Sequence, residues 1–370
     1  MTAVFLGGPL CHRPLLAVIL GAEAALSPAT AADRAGRLVD APGAFALRPQ
    51  RGREVNGVVL EGATPEALAR LAFYARALGL VPHRLRVTSA HASGPGIGYA
   101  LRAAPTEGQA WDAALWLADH AELAVETAIE VMAAYGALSA ARLHARLGSI
   151  RVRAASRMRA RTDAAPHSLR RAPGTIDVQA RRQPYAHFFA VEEYDLSFRR
   201  FDGSMSPVVT RAAFISTDAV TVLPYDAARD RVLLVEQVRM APFVRGDRNP
   251  WQLETIAGRI DPGETPEEAA RREAVEESGL TLGALLPVAN YYPSPGAKTE
   301  FLYSYLALTD LPDDAAGVFG VEHEAENIRG HLVSFDEAMA LIATGEIGSG
   351  PLVLTLLWLQ GARAGLRAQV

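Results

Sequence analysis

Cysteine and lysine are nearly missing from this 370-residue chain: Cys11 is the one cysteine and Lys298 the one lysine. A single cysteine excludes an intrachain disulfide and any zinc site built on thiolates, and it fits a reducing cytoplasm. Cys11 itself reads as a small buried apolar residue. No apolar run reaches the ~20 residues that span a bilayer. Leu15 to Leu20 is apolar, but the basic start of a secretory leader is absent, and His12, Arg13 and Pro14 fall where its apolar core should form. The expectation is a cytoplasmic protein with no membrane association. An excess of charge of one sign is lacking too. Lys and Arg total 37, Asp and Glu 41, and the net charge is −4, which argues against a general nucleic-acid binder.

What is present is a soluble, globular composition, 49% hydrophobic and 21% charged. The length is too great for one ordinary core and predicts two domains. Residues 1–105 read as short strands with turns and one helix. The strands are Ala3 to Leu6, Val55 to Leu60, 81–89 and 97–103; the helix begins at a Thr64 cap with Pro65 and ends at Gly79. Residues 106–174 read as a helical and Arg-rich linker region. Trp111, Leu115, Ala118, Glu122, Val125, Ile129 and Met132 fall at helical spacing, with a break at Gly136. The arginines from Arg142 to Arg171 read as a solvated helix face, followed by a tether over Thr162 to Gly174. Residues 175–370 change to strands: Ala186 to Phe201, Val220 to Leu223, Val232 to Val238 and Phe301 to Leu308. A hairpin turn lies at Asp226 to Asp230. Two helices close the chain, one from a Ser334-x-x-Glu337 capping box to Gly345 and one over Pro351 to Ala364.

The informative segment is Gly258 to Leu280, GRIDPGETPEEAARREAVEESGL. Thr265, Pro266 and Glu268 form a capping box that starts a helix, and Gly279 stops it after Ser278. At 3.6 residues per turn, Glu273, Glu276 and Glu277 share one face. Carboxylates so close repel one another, and hard divalent cations with oxygen ligands relieve that repulsion. Magnesium binds through a few carboxylates, waters and substrate phosphates, so the pattern predicts a phosphate-bearing substrate. Arg272 adjoins the cluster and can orient it by charge-assisted hydrogen bonds.

Gly258, Glu264, Arg272, Glu273, Ala274, Glu276, Glu277, Gly279 and Leu280 fit G-x5-E-x7-R-E-U-x-E-E-x-G-U, with Ala274 smaller than the usual U residue. The C-terminal half thus resembles the Nudix hydrolases. Ser294-Pro295-Gly296, Glu236-Gln237-Val238-Arg239, Trp251-x-x-Glu254 and the stretch 322–329 resemble the ADP-ribose pyrophosphatase branch. The resemblance implies an α+β chain whose C-terminal half is an α/β/α sandwich with a mixed sheet. It implies magnesium, with manganese able to substitute, held by Glu273, Glu277, Glu326 and the Ala257 carbonyl. Glu276 would be a further ligand or a neighbour of the ligands. Glu324 would be the general base, with Glu322 and Glu326 as alternatives. Arg211 and Arg239 would contact the diphosphate or terminal ribose, beside the Pro295–Gly296 loop. The implied reaction splits ADP-ribose into AMP and ribose 5-phosphate; a related nucleoside diphosphate sugar, or a Nudix domain that only senses its ligand, are the alternatives. Ala212 departs from the acidic residue that related enzymes tend to have beside the arginine. The resemblance also implies a homodimer, with residues 185–215 packing across onto the partner.

The N-terminal residues resemble the gamma-glutamylcyclotransferase-like fold, a small barrel with a cavity. The resemblance rests on Gly8, Leu10, Leu15-Leu16, Gly21, Val55-x-Gly57-x-Val59 and Leu71-x-x-Tyr74. Pro9 has no N–H to give where active members cradle substrate with backbone donors, and Ala75 stands where the catalytic glutamate belongs. The expectation is a non-catalytic binding, regulatory or oligomerisation module. Similar two-domain proteins carry a tellurite-resistance label.

Overall fold

The computed structural model describes residues 3–39, 44–102, 109–162, 168–170, 174–321 and 326–369. They belong to two compact units, Met1–Pro166 and His167–Val370. Among the described residues, no helix is long and apolar enough to cross a membrane.

In the first unit, β1 (Ala3–Gly7) leads through a 3-10 turn into α1 (Arg13–Leu20). A long hairpin follows, β2 (Leu26–Val39) and β3 (Ala44–Leu60), then α2 (Pro65–Ala77), β4 (Leu80–Ser89) and β5 (Ser93–Leu101). The strands close into a barrel in the order β1-β3-β2-β4-β5. Successive strand residues serve opposite cores, as a pleat requires: Phe5 joins Phe45, Leu47 and Val87, whereas Leu6 joins the helices. The apolar stretch at Leu15 to Leu20 is α1, and Leu15, Leu16 and Ile19 are buried core residues.

The expectation of a linker after the barrel is corrected. Four helices follow: α3 (Ala113–Asp119), α4 (Ala121–Ala133), α5 (Ala140–His144) and α6 (Leu147–Thr162). Trp116, Ala128, Val131, Leu143 and Ile150 bury into one cluster with Leu6, Leu15, Leu71 and Tyr74, so these helices share the barrel's core. The helical stripe is also shifted, for Ile129 is exposed while Glu126 and Glu130 are buried. Nor is α6 simply a solvated face. Arg153 is 2% exposed and donates to Glu130 at 2.9 Å and 2.5 Å. Arg157 and Arg161 reach Glu126 and Glu130 from the following turns. Buried carboxylates on α4 draw the arginines inward, which periodicity of apolar residues cannot show. The expected tether over 162–174 lies mostly outside the described residues.

In the second unit, β6 (Ile176–Ala186), β7 (Ala190–Phe198) and β8 (Val209–Ile215) form an antiparallel three-stranded sheet. Then come β9 (Ala219–Asp226), β10 (Arg231–Val238), α7 (Met240–Arg245), β11 (Trp251–Glu254), β12 (Ile256–Arg259), α8 (Pro266–Ser278) and β13 (Ala284–Tyr291). The chain ends with β14 (Leu302–Leu308), β15 (Val318–Phe319), β16 (Ile328–Ser334), α9 (Phe335–Thr344) and α10 (Gly350–Arg367). The main sheet runs β13-β14-β9-β10-β16-β15, with β11 on β10 and β12 on β9. It is mixed, because β14 and β9 are parallel. Helices cover both faces. Val220, Val222 and Val235 pack under α8 with Ala269, Ala270 and Ala274. Leu223, Tyr225, Val232 and Leu234 pack under α9 and α10 with Phe335, Leu352, Leu356 and Leu359. Burial on both faces is why β9 and β10 read as continuous apolar runs.

Candidate active site

Helix α8 begins as its sequence dictates. The Thr265 hydroxyl accepts from the Glu268 N–H at 3.2 Å, and the Glu268 carboxylate accepts from the Thr265 N–H at 2.8 Å. Gly279 ends the helix at φ 66°, a left-handed conformation that favours glycine. Three small alanines on the inner face let α8 lie close to the sheet.

That closeness puts α8 against β12. Glu277, 2% exposed, accepts from the Ala257 N–H at 3.1 Å and from the Gln237 amide at 3.5 Å. Gly258 is the point of nearest approach. A Cβ there would sit 1.9 Å from the Glu273 carboxylate, so any larger residue would push that carboxylate off the strand. Arg272 ties the outer carboxylates together. It donates to Glu264 at 2.8 Å and 2.9 Å, to Glu273 at 2.6 Å, to Glu276 at 3.0 Å and to the Arg259 carbonyl at 2.9 Å. Glu264 in turn accepts from the Asp261 N–H at 3.0 Å, which fixes the loop before the helix. These hydrogen bonds hold the Arg272 guanidinium firmly in its charged form.

The remaining negative charge is not matched. Burial pushes Glu277 up to about 8 despite its hydrogen bond from Ala257, and Glu273 and Glu326 add repulsion. Burial likewise pushes Glu273 up to about 7 against the pull of Arg272, and Glu276 and Glu326 oppose its ionisation. Arg239 on the end of β10 lends Glu277 some positive field, but its own direct partner is Glu254, at 2.6 Å. The donor set is therefore all oxygen, partly desolvated and short of positive charge. That is the chemistry of a magnesium site that also uses substrate phosphates and water. Among the described residues, no three acidic, histidine or cysteine side chains converge closely enough to cage an ion alone.

Of the residues anticipated from sequence, the structure gathers Ala257, Arg272, Glu273, Glu276 and Glu277, with Arg239 and Glu326 within electrostatic reach. Glu326 accepts from the Val321 N–H at 3.2 Å. Glu322 and Glu324 lie outside the described residues. Arg211 is not brought to the cluster. It lies exposed on β8 of the three-stranded sheet and donates to the Thr210 carbonyl at 3.0 Å. Pro295 and Gly296 lie in the loop after β13, whose Ala297 and Thr299 pair with Phe214 of β8, so that loop and the Arg211 strand are tied. The hairpin tip between β6 and β7 touches the site from the other side: the Arg259 guanidinium lies 3.4 Å from the centre of the Phe188 ring. Sequence reasoning gave no role to Glu264 or Gln237. Glu264 is a fixed position of the box, and Gln237 shares the α8-facing side of β10 with Val235, so both carried a signal.

Comparisons with known proteins agree on this half. A family model for the NUDIX domain matches residues 216–356. The ADP-ribose pyrophosphatase of Escherichia coli strain K12 is 38% identical over 185 residues, covering 50% of this chain and 88% of that protein. The ADP-ribose pyrophosphatase of Haemophilus influenzae is 35% identical, covering 50% of this chain and 86% of that protein. A GDP-mannose pyrophosphatase of Pectobacterium atrosepticum is 32% identical, covering 49% of this chain and 92% of that protein.

Proposed function

Since this chain belongs to the Nudix family, we propose that its C-terminal unit hydrolyses the diphosphate of ADP-ribose to AMP and ribose 5-phosphate. The observation that carries the reading is the buried carboxylate pair, Glu273 and Glu277, pressed against Ala257 and Gly258 with too little positive charge around it. The relatives named ADP-ribose pyrophosphatase support the choice of substrate.

The residues present fit magnesium: Glu273, Glu277, Glu326 and the Ala257 carbonyl would hold it. A bound ion neutralises the diphosphate and acidifies water. The chain's own part is positioning. Gly258 lets the Glu273 carboxylate lie flush on the strand, and Arg272 keeps Glu273 and Glu276 in place through a forked donor set. Water attacks one phosphorus in line, the bridging P–O bond breaks, and the proton passes to a carboxylate of the loop 322–326. The family resemblance assigns that base to Glu324. Arg239, and Arg211 by way of the Pro295–Gly296 loop, would bind the substrate's anionic end.

The three-stranded sheet leaves Ile176, Val178, Tyr185 and Phe198 exposed. Such a face suits a second copy of the chain and supports the homodimer. For the N-terminal unit, a closed barrel with Pro9 in its first loop and Ala75 buried in α2 supports a non-catalytic module of gamma-glutamylcyclotransferase-like fold.

The GDP-mannose pyrophosphatase relative favours a second reading, with another nucleoside diphosphate sugar as substrate. A panel of ADP-ribose, ADP-glucose and GDP-mannose with magnesium, scored for nucleoside monophosphate release, decides. The first reading requires kcat/KM for ADP-ribose to exceed the others by about tenfold or more. A preference for GDP-mannose replaces it with the second.

A further inference from the structure

The net charge of −4 hides an uneven division. Met1–Pro166 carries 18 arginines against 13 acidic residues, whereas His167–Val370 carries 19 basic residues against 28 acidic ones. Part of the basic excess of the first unit gathers on the outer wall of the barrel, where β2, β3 and β4 lie side by side.

Two matched irregularities build that wall. β2 bulges at Asp33, at φ 55°, between Ala32, which pairs with Glu54, and Arg34, which pairs with Pro49. Over the same interval β3 runs out through residues 50–53, and the Gly52 N–H donates to the Asp33 carboxylate at 2.9 Å. Such a bulge re-aims side chains. It sets the exposed Arg51 and Arg53 beside the half-buried Arg34. Arg34 donates to the Arg84 carbonyl at 3.4 Å, which brings in β4. There Leu85 and Val87 enter the barrel core, so the pleat turns Arg84 and Arg86 outward.

Among the described residues none of Arg34, Arg51, Arg53, Arg84 and Arg86 meets a carboxylate; Arg34 reaches only carbonyls. Asp33 is engaged by Gly52, and Glu54 is the other acid nearby. One exposed arginine without an anion is ordinary, but several on one wall create a positive field. Gln50, Asn56 and Thr88, also exposed, add amide and hydroxyl donors. Guanidinium groups with such donors are what hold nucleic-acid phosphates in register. Among the described residues no exposed large apolar or aromatic side chain lies on β2, β3 or β4. The wall therefore lacks rings to stack unpaired bases and apolar groups to enter a bilayer.

We infer that this wall docks the phosphate backbone of a nucleic-acid duplex without regard to base sequence. Side chains two residues apart on a strand, such as Arg84 and Arg86, stand about 6.7 Å apart, comparable to successive phosphates along one nucleic-acid strand. The acidic balance of the rest of the chain keeps the binding weak and sensitive to salt. The inference is independent of the hydrolase reading.

The test is fluorescence anisotropy of a labelled duplex of roughly 20 base pairs titrated with the full chain. At about 50 mM salt it should bind with a micromolar Kd, and the logarithm of affinity should fall against that of salt with a slope of about −3 to −4.5. DNA and RNA duplexes of unrelated sequence should bind within about threefold of one another. The pair Arg51→Gln and Arg53→Gln, and separately the pair Arg84→Gln and Arg86→Gln, should weaken binding about tenfold or more and make the slope shallower by about 2. Arg76→Gln with Arg142→Gln removes the same charge from exposed positions on α2 and α5 and should change affinity by less than about twofold. Should a wall pair not fold, the single variants Arg53→Gln and Arg86→Gln must fold and each take about 1 from the slope. The inference is overturned if no duplex binds, if one sequence or one kind of duplex is preferred by about tenfold or more, if phosphatidylglycerol vesicles are bound in its place, or if the control pair weakens binding as much as the wall pairs do.

Discussion

Two helix faces in this chain collect buried carboxylates, and they differ in how their charge is answered. On α4, Glu126 and Glu130 meet three arginines of α6, so each carboxylate is answered within the chain. On α8, Glu273 and Glu276 share one adjoining arginine, which is also held by Glu264, while Glu277 accepts from the Ala257 N–H and the Gln237 amide. The first arrangement is complete as it stands and binds two helices together. The second is left with more carboxylates than its arginine can answer. Acidic clustering therefore does not mark a site; an unanswered surplus of charge does.

The strongest way to break the comparison is Glu277→Gln. It should lower kcat by about a hundred- to a thousandfold, since it removes charge where the transition state needs it. Folding should be kept or improved, because a buried repulsive carboxylate is gone; unchanged turnover would remove α8 from the chemistry. Glu130→Gln is the mirror experiment. It leaves Arg153 buried without its partner and should destabilise the first unit by about 3 kcal/mol, roughly 6–12 °C in Tm, with kcat per folded molecule unchanged. A loss of activity greater than the loss of folded protein would blur the distinction.

The surplus can also be read through pH. Glu273 and Glu277 keep protons to about 7 and about 8 in the fold, against 4.5 ordinarily. Between those values the native state binds more protons than the unfolded one, so their contribution to stability falls as pH rises. Magnesium replaces those protons, so its gain in Tm should be larger at about pH 8.5 than at about pH 5.5, by roughly 3 °C or more. Equal gains at both would mean that the ion binds elsewhere. The smallest contrast concerns the helix caps. Thr64→Ala on α2 and Thr265→Ala on α8 should each cost about 1 kcal/mol of stability, and only the second should also lower kcat.

Much of the second unit is legible in the sequence because its chemistry is local. The capping box, the glycine stop and the spacing of Glu273, Glu276 and Glu277 lie within one helix, and the structure shows both ends of α8 as expected. The apolar runs of β9 and β10 also declare themselves. The long hairpin of the first unit does so only at its end, Val55 to Leu60 of β3. β2 and the first part of β3 carry Pro28, Pro49 and several arginines, and residues 49–54 are exposed, so no alternation of apolar and polar residues betrays that part. The inward arginines of α6 are illegible for another reason: their partners lie on α4, and one helix's sequence does not say what faces it. The exposed position of Arg211 on a separate sheet is invisible for the same reason.

The stacking of Arg259 on Phe188 joins two parts of the second unit that otherwise belong to different sheets. Arg259 directly follows Gly258, and its carbonyl is one of the anchors of Arg272. A tilt of the β6–β7 hairpin is thereby passed to the backbone on which the carboxylates rest. The outlying sheet thus braces, through one cation–ring contact, the strand against which the α8 carboxylates rest.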